Sequence, residues 1–145
     1  VDKQALFAIG RMLLCMVRGK PSIQALLDSN VSCLAASLPQ TARRVAVSTS
    51  KSLSVVWLER NCYVETICKD DGYGQVAFLS GGYLIATTDT YLRIFRLFQR
   101  SSDVTQLVEE RLLQSRDVVA ILPLNADHFG VLYRNGLLER FRVQR

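Results

Sequence analysis

The chain has 145 residues, 49% of them hydrophobic, and its 18 Lys+Arg against 13 Asp+Glu give a net charge of +5. This length and apolar content support a buried core and exclude disorder. The longest uncharged apolar run, Met12 to Val17, falls far short of the ~20 residues that a membrane-spanning helix needs.

In chain order, Ala5 to Val17 is interrupted at Gly10-Arg11 and reads as two strands joined by a tight turn. Leu6, Ile9, Leu13, Met16 and Val17 also share helical spacing, so an amphipathic or buried helix is the alternative here. Pro21 to Leu27 follows as a strand, and Val31 to Leu38 is the next apolar stretch. A hairpin over Thr49 to Trp57 leads to a strand over Cys62 to Cys68. The order then repeats: an apolar stretch at Gly74 to Leu79, a hairpin over Thr87 to Phe95, a strand within Val104 to Leu113. Val118 to Leu124 and a hairpin over Tyr133 to Phe141 complete the chain. Thr, Val, Ile and aromatic residues dominate the runs, and Asp70-Asp71-Gly72, Gly81-Gly82 and Asn135-Gly136 punctuate them.

The hairpins recur in phase. A turn residue (Gly10, Lys51, Asp89, Asn135) stands six positions before a large apolar one (Met16, Trp57, Phe95, Phe141), and the large residues recur at intervals of 41, 38 and 46. Four strands in about 42 residues is the period of one propeller blade. The predicted fold is all-β: four-stranded antiparallel blades in an incomplete ring, one domain over 1–145 with repeats at approximately 1–30, 31–73, 74–117 and 118–145. The chain opens on a second strand at Ala5 to Ile9 and stops after a third strand. Because it begins at Val1 rather than Met, it reads as a processed product or an excerpt.

The pattern resembles the WD-repeat β-propeller family. Asp89-Thr90-Tyr91-Leu92-Arg93-Ile94-Phe95 is similar to the family's tight turn with aspartate followed by a strand ending at a large aromatic. Trp57 takes the family's tryptophan position, Phe95 and Phe141 replace it, and Asn135-Gly136 replaces the turn aspartate. The residue after each aromatic is Leu58, Arg96 or Arg142 rather than Asp, and no Gly-His pair precedes a repeat. The family's buried hydrogen-bonded tetrad cannot form, so the likeness is architectural. It implies about three and a half blades, where family rings typically have about seven or eight. The remainder is then supplied by unseen chain or by a partner subunit. It also implies that the turns Arg11, Lys51, Ser52, Asp89, Thr90, Asn135 and Gly136 line one rim of the disc, where peptides commonly dock.

Arginine outnumbers lysine 14 to 4, and from Arg93 onward there are nine arginines and no lysine. Arginine's planar fork suits ion pairs and protein interfaces. Arg93, Arg96, Arg140 and Arg142 alternate along the third strands and are expected to share the polar side or an inter-blade surface, bridging to neighbouring blades or binding an acidic partner. The arginines are scattered, so no nucleic-acid stripe is visible. Regular recurrence places Trp57, Phe95 and Phe141 in a core rather than on an RNA-stacking platform.

Other candidate chemistry is weak. Gly72-Tyr73-Gly74-Gln75-Val76-Ala77 matches a dinucleotide fingerprint as text, but Ser80-Gly81-Gly82 stops the helix such a site requires. His128 reads as a solvated loop histidine in Asn125-Ala126-Asp127-His128. Glu109-Glu110 and Asp70-Asp71 read as solvated charge, since strand neighbours point to opposite faces. Cys15, Cys33, Cys62 and Cys68, spaced by 18, 29 and 6 with no C-x-x-C pair, read as reduced, buried intracellular thiols. One histidine leaves no zinc set.

The expectation is a non-enzymatic interaction scaffold in a multi-protein assembly, intracellular (cytoplasmic or nuclear), with protein subunits as partners. It has no cofactor, no metal, no membrane and no small-molecule substrate. The alternative is an RNA-associated propeller in a ribonucleoprotein, its arginines facing phosphates.

Overall fold

A computed structural model describes residues 5–17, 19–36, 44–57, 63–69, 71–96 and 106–144. Every regular element among them is a strand: β1 (Ala5–Ile9), β2 (Met12–Val17), β3 (Lys20–Leu26), β4 (Val31–Ala36), β5 (Arg44–Thr49), β6 (Leu53–Trp57) and β7 (Tyr63–Cys68) in the first half. The second half holds β8 (Val76–Leu79), β9 (Tyr83–Thr87), β10 (Tyr91–Arg96), β11 (Gln106–Leu112), β12 (Val118–Pro123), β13 (His128–Tyr133) and β14 (Leu138–Arg142). Among the described residues no helix is long and apolar enough to cross a membrane.

Consecutive strands pair antiparallel in four sheets, β1-β2-β3, β4-β5-β6-β7, β8-β9-β10-β11 and β12-β13-β14. None closes into a barrel, and the arrangement is an incomplete propeller-like all-β fold of repeated blade-like units. Residues 5–17 form a strand pair, not a helix: Ala5 to Ile9 lie opposite Met16 to Met12, with Gly10 at φ 58° in the two-residue turn. A positive φ favours glycine because it has no Cβ to clash.

Period-two alternation sends successive side chains to opposite sheet faces, and the inner strands are apolar on both, so the second and third sheets each pack against two neighbours, while among the described residues the first and fourth each pack against one. Leu13, Ala25 and Leu27 meet Val45, Val47 and Val56 between the first and second sheets. Ala46, Val55 and Trp57 meet Phe78, Leu84 and Phe95 between the second and third. Ile85, Leu92 and Ile94 meet Phe129, Val131 and Phe141 between the third and fourth.

Trp57 does not share the register of Phe95 and Phe141. Turn closure by Thr49 N–H to Ser52 O, Thr88 N–H to Tyr91 O and Tyr133 N–H to Leu137 O makes Val56, Phe95 and Phe141 equivalent and puts Trp57 level with Arg96. A one-residue offset reverses the face. Trp57 therefore points to the following sheet, whereas Phe95 points back to the preceding one, and both enter the same apolar layer. Met16 has the register of Phe95 but is only half-buried. It shares its face with Met12, Leu14 and the exposed Ile23 and Leu26, and no described sheet packs there.

Candidate functional site

Turns of equivalent hairpins lie at one end of the sheets, and at that end a cleft of about 620 Å³ opens between the second and third sheets. One wall is the β5–β6 turn, with Ser50; the other is the β9–β10 turn, with Thr88, Asp89 and Thr90. The floor is the connector Asp71-Gly72-Tyr73-Gly74, which leaves β7 and enters β8.

That connector is bonded to both walls. Tyr73 N–H donates to Thr49 O at 3.0 Å, Gly74 N–H to Thr87 O at 2.8 Å, and the Ser48 hydroxyl to Gly74 O at 2.5 Å. Gly72 passes so close to the β5–β6 turn that a Cβ there would lie 2.6 Å from Ser50 O. The stretch resembling a dinucleotide fingerprint is thus a loop entering a strand, without the helix N-terminus that would receive a pyrophosphate.

Arg93 projects from β10 into this floor. It donates to Asp71 Oδ2 at 2.6 Å, to the Tyr73 hydroxyl at 2.7 Å and, through Nε, to Glu110 Oε2 at 2.7 Å. Burial works against the guanidinium charge, but the bonds to Asp71, Glu110 and Tyr73 outweigh it and hold its pKa above the ordinary arginine value. Burial pushes the Tyr73 phenol up, helped by a hydrogen bond with Cys68 and opposed by Arg93. Arg93 is therefore internally neutralised. The exposed Asp89 and the half-exposed Asp71 leave the cleft acidic on a basic chain.

The expected site residues separate into three groups. Arg11, Lys51, Asp89, Thr90 and Asn135 are exposed in the hairpin turns. Asn135 also fixes its own turn, its Oδ1 accepting from Leu137 N–H at 3.0 Å, while Gly136 adopts φ 89°. Ser52 does not face the rim: it is buried, donating to Asp28 Oδ1 at 3.0 Å and lying 3.1 Å from the Thr49 hydroxyl. Turning inward satisfies the hydroxyl against a carboxylate.

The strand arginines form the third group. Arg93 and Arg96 were expected on one side, but three residues apart on an unbroken β9–β10 ladder they occupy opposite faces. Arg96 is exposed beside Tyr83, Val108 and Gln144, on the side of the fourth sheet. Arg140 and Arg142 do share a face of β14 and are exposed. Arg142 Nε is 3.8 Å from Asp127 Oδ2.

His128 Nδ1 lies 2.7 Å from Asp127 Oδ1 and 2.9 Å from Asn125 Oδ1, a loop contact in a different sheet from Cys15, Cys33 and Cys68. Those three thiols are free; Cys15 is buried, while Cys33 and Cys68 are only half-buried because they stand on outer strands. Cys62 lies outside the described residues. Among the described residues no three His, Cys, Asp or Glu side chains converge as a metal set.

Asp71 was read as solvated charge and Tyr73 only as part of a dinucleotide-like string, yet both make the cleft floor and bond to Arg93. Their signal was the short loop of turn formers preceding β8, but only the path of that loop shows that it meets Arg93.

No protein-family model matches the chain, and no curated protein matches it by sequence. Among solved structures it is similar to the crystal structure of the computationally designed Ika4 protein, with 10% identity and a TM-score of 0.71 over 99% of this chain and 88% of that one. At this identity the likeness concerns the fold alone.

Proposed function

We propose that the protein is a non-enzymatic protein–protein interaction scaffold, a propeller portion that presents rim turns and strand edges to other subunits of an assembly. The observation carrying this reading is the rim cleft. Two hairpin turns and a connector from two sheets converge on it, and the layers beneath hold them rigid. It presents hydroxyls, the Asp89 carboxylate and the exposed ring of Tyr91. Loops fixed on a rigid scaffold are where recognition concentrates, and aromatic and polar groups around a preformed cleft suit a protein surface. The blade-like sheets with Asp89-Thr90 in the turn and Phe95 in the third strand support a divergent WD-repeat reading.

The test is isolation of the full chain with its associated molecules, comparing wild type with a triple rim variant, Lys51→Ala, Asp89→Ala and Thr90→Ala. Loss of a defined protein from the variant, with association persisting as salt is raised, supports the scaffold. Recovery of RNA whose release rises steeply with salt, or an unchanged set of proteins on the variant, overturns it.

A further inference from the structure

We propose that the rim cleft between the second and third sheets receives an arginine side chain from a basic segment of a partner protein. This rests on the scaffold reading and names the chemistry of the partner at that site.

The neighbouring junction fills the equivalent space from within. Between the first and second sheets, the connector from β3 to β4 reaches the next hairpin turn with its own side chains. Asp28 Oδ1 accepts from the Thr49 and Ser52 hydroxyls at 3.1 and 3.0 Å, and the Ser50 hydroxyl lies 3.3 Å from that of Ser29. Between the second and third sheets the connector runs as Gly72-Tyr73-Gly74 and bonds through its backbone to Thr49 and Thr87. Among the described residues no hydrogen bond links it to Asp89 or Thr90 of the next turn. The space is left as a cleft of about 620 Å³, within the range of about 300–1,000 Å³ that ligand sites occupy.

The lining then selects the occupant. The Asp89 carboxylate is exposed and has no hydrogen-bond or ion-pair partner among the described residues. Asp71 is half-exposed and meets Arg93 through Oδ2 alone. Ser32, Ser50 and Thr90 add hydroxyl oxygens. The one cation in the lining, Arg93, is spent on Asp71, Glu110 and Tyr73. A guanidinium carries five donors and no acceptor, so it matches this surplus of acceptors, whereas a carboxylate or phosphate is repelled. The floor already holds such a group: the Arg93 guanidinium bonds the Asp71 carboxylate and lies 5.8 Å from the Tyr73 ring centroid. A partner's arginine finds the same two kinds of group, carboxylate and phenol ring, in Asp89 and the exposed Tyr91. Because the chain as a whole carries a net charge of +5, a basic segment is disfavoured over most of its surface and favoured here.

The test titrates the isotope-labelled full chain with three capped peptides, Gly-Ser-Arg-Ser-Gly, Gly-Ser-Lys-Ser-Gly and Gly-Ser-Glu-Ser-Gly, and follows backbone amide resonances. The expected result is saturable shifts at Gly72, Gly74 and Thr90 with the arginine peptide, binding about threefold weaker with the lysine peptide, and no binding of the glutamate peptide. Asp89→Lys should weaken the arginine peptide about fivefold to tenfold and turn the preference to the glutamate peptide, which shows that the variant is folded. Tyr91→Ala, which leaves the charge unchanged, should lower the arginine peptide to the level of the lysine one. No saturable shift at the cleft, equal binding of the lysine or glutamate peptide, or wild-type binding of the arginine peptide by Asp89→Lys would each overturn the proposal. None of these touches the scaffold reading, which stands or falls on the proteins that the rim variant loses.

Discussion

Arg93 and Asp71 meet at 2.6 Å, and the contact fastens the third strand of one sheet to the connector arriving from the sheet before it. Arg93 is 18% exposed and holds two further partners, whereas Asp71 is 48% exposed. Removing the covered member abandons more. Arg93→Ala should lower stability by about 1–2 kcal/mol, and Asp71→Asn by less than about 1 kcal/mol because water screens a half-exposed pair. Urea midpoints of the two variants would check the order; a larger loss for Asp71→Asn would contradict it.

The β5–β6 turn offers a comparison between neighbours. Ser52 is buried with its hydroxyl on Asp28, while Lys51 is exposed. Ser52→Ala removes a bond to a carboxylate from a buried place and should cost about 1–2 kcal/mol. Lys51→Ala should stay within about 0.5 kcal/mol of wild type. If Ser52→Ala were silent in urea unfolding, the turn would not be organised by that hydroxyl.

Equivalent register does not give equivalent energy. Phe95 is 1% exposed between two sheets, whereas Met16, at the same position of the first sheet, looks onto a face that no described sheet covers. Phe95→Ala should cost about 3–5 kcal/mol through lost burial and the cavity left behind. Met16→Ala should cost less than about 1.5 kcal/mol, since part of that surface is already wet. Comparable losses for the two would mean that the open face is covered in solution.

The sheets were legible because punctuation and alternation act locally. Asn135-Gly136 marks a turn, and there Gly136 takes a positive φ and Asn135 binds the backbone two residues on. Trp57 was misplaced for the same local reason. Counting from Lys51 and from Asp89 assumes equivalent turns, yet closure at Thr49–Ser52 and Thr88–Tyr91 aligns Lys51 with Thr90. One residue of slip moves a side chain to the other face. The cleft was less legible still. Asp71 and Arg93 are 22 residues apart, and nothing in their neighbours separates a solvated aspartate from one under a guanidinium. That distinction depends on the connector crossing the gap between sheets, which is a tertiary fact.

Tyr133 provides a pH-dependent test of how the third and fourth sheets are joined. Its hydroxyl donates to Glu139 Oε1 at 2.6 Å and accepts from the Gln114 N–H at 3.2 Å, at the end of the third sheet's outer strand. Burial first, and the Glu139 carboxylate second, push the phenol up to about 12, against a mild opposing pull from the Gln114 N–H. An unfolded tyrosine titrates near about 10. The folded state thus keeps this proton to higher pH than the unfolded one. Its contribution is complete below about pH 10 and disappears as pH rises towards about 12. Tyr73, also raised, adds to the same alkaline loss, so the informative quantity is a difference between proteins. Urea midpoints at about pH 9 and about pH 11 should fall more for wild type than for Tyr133→Phe, which has no proton to lose. Parallel alkaline losses in the two would show that the Tyr133–Glu139 bond does not couple this junction to pH.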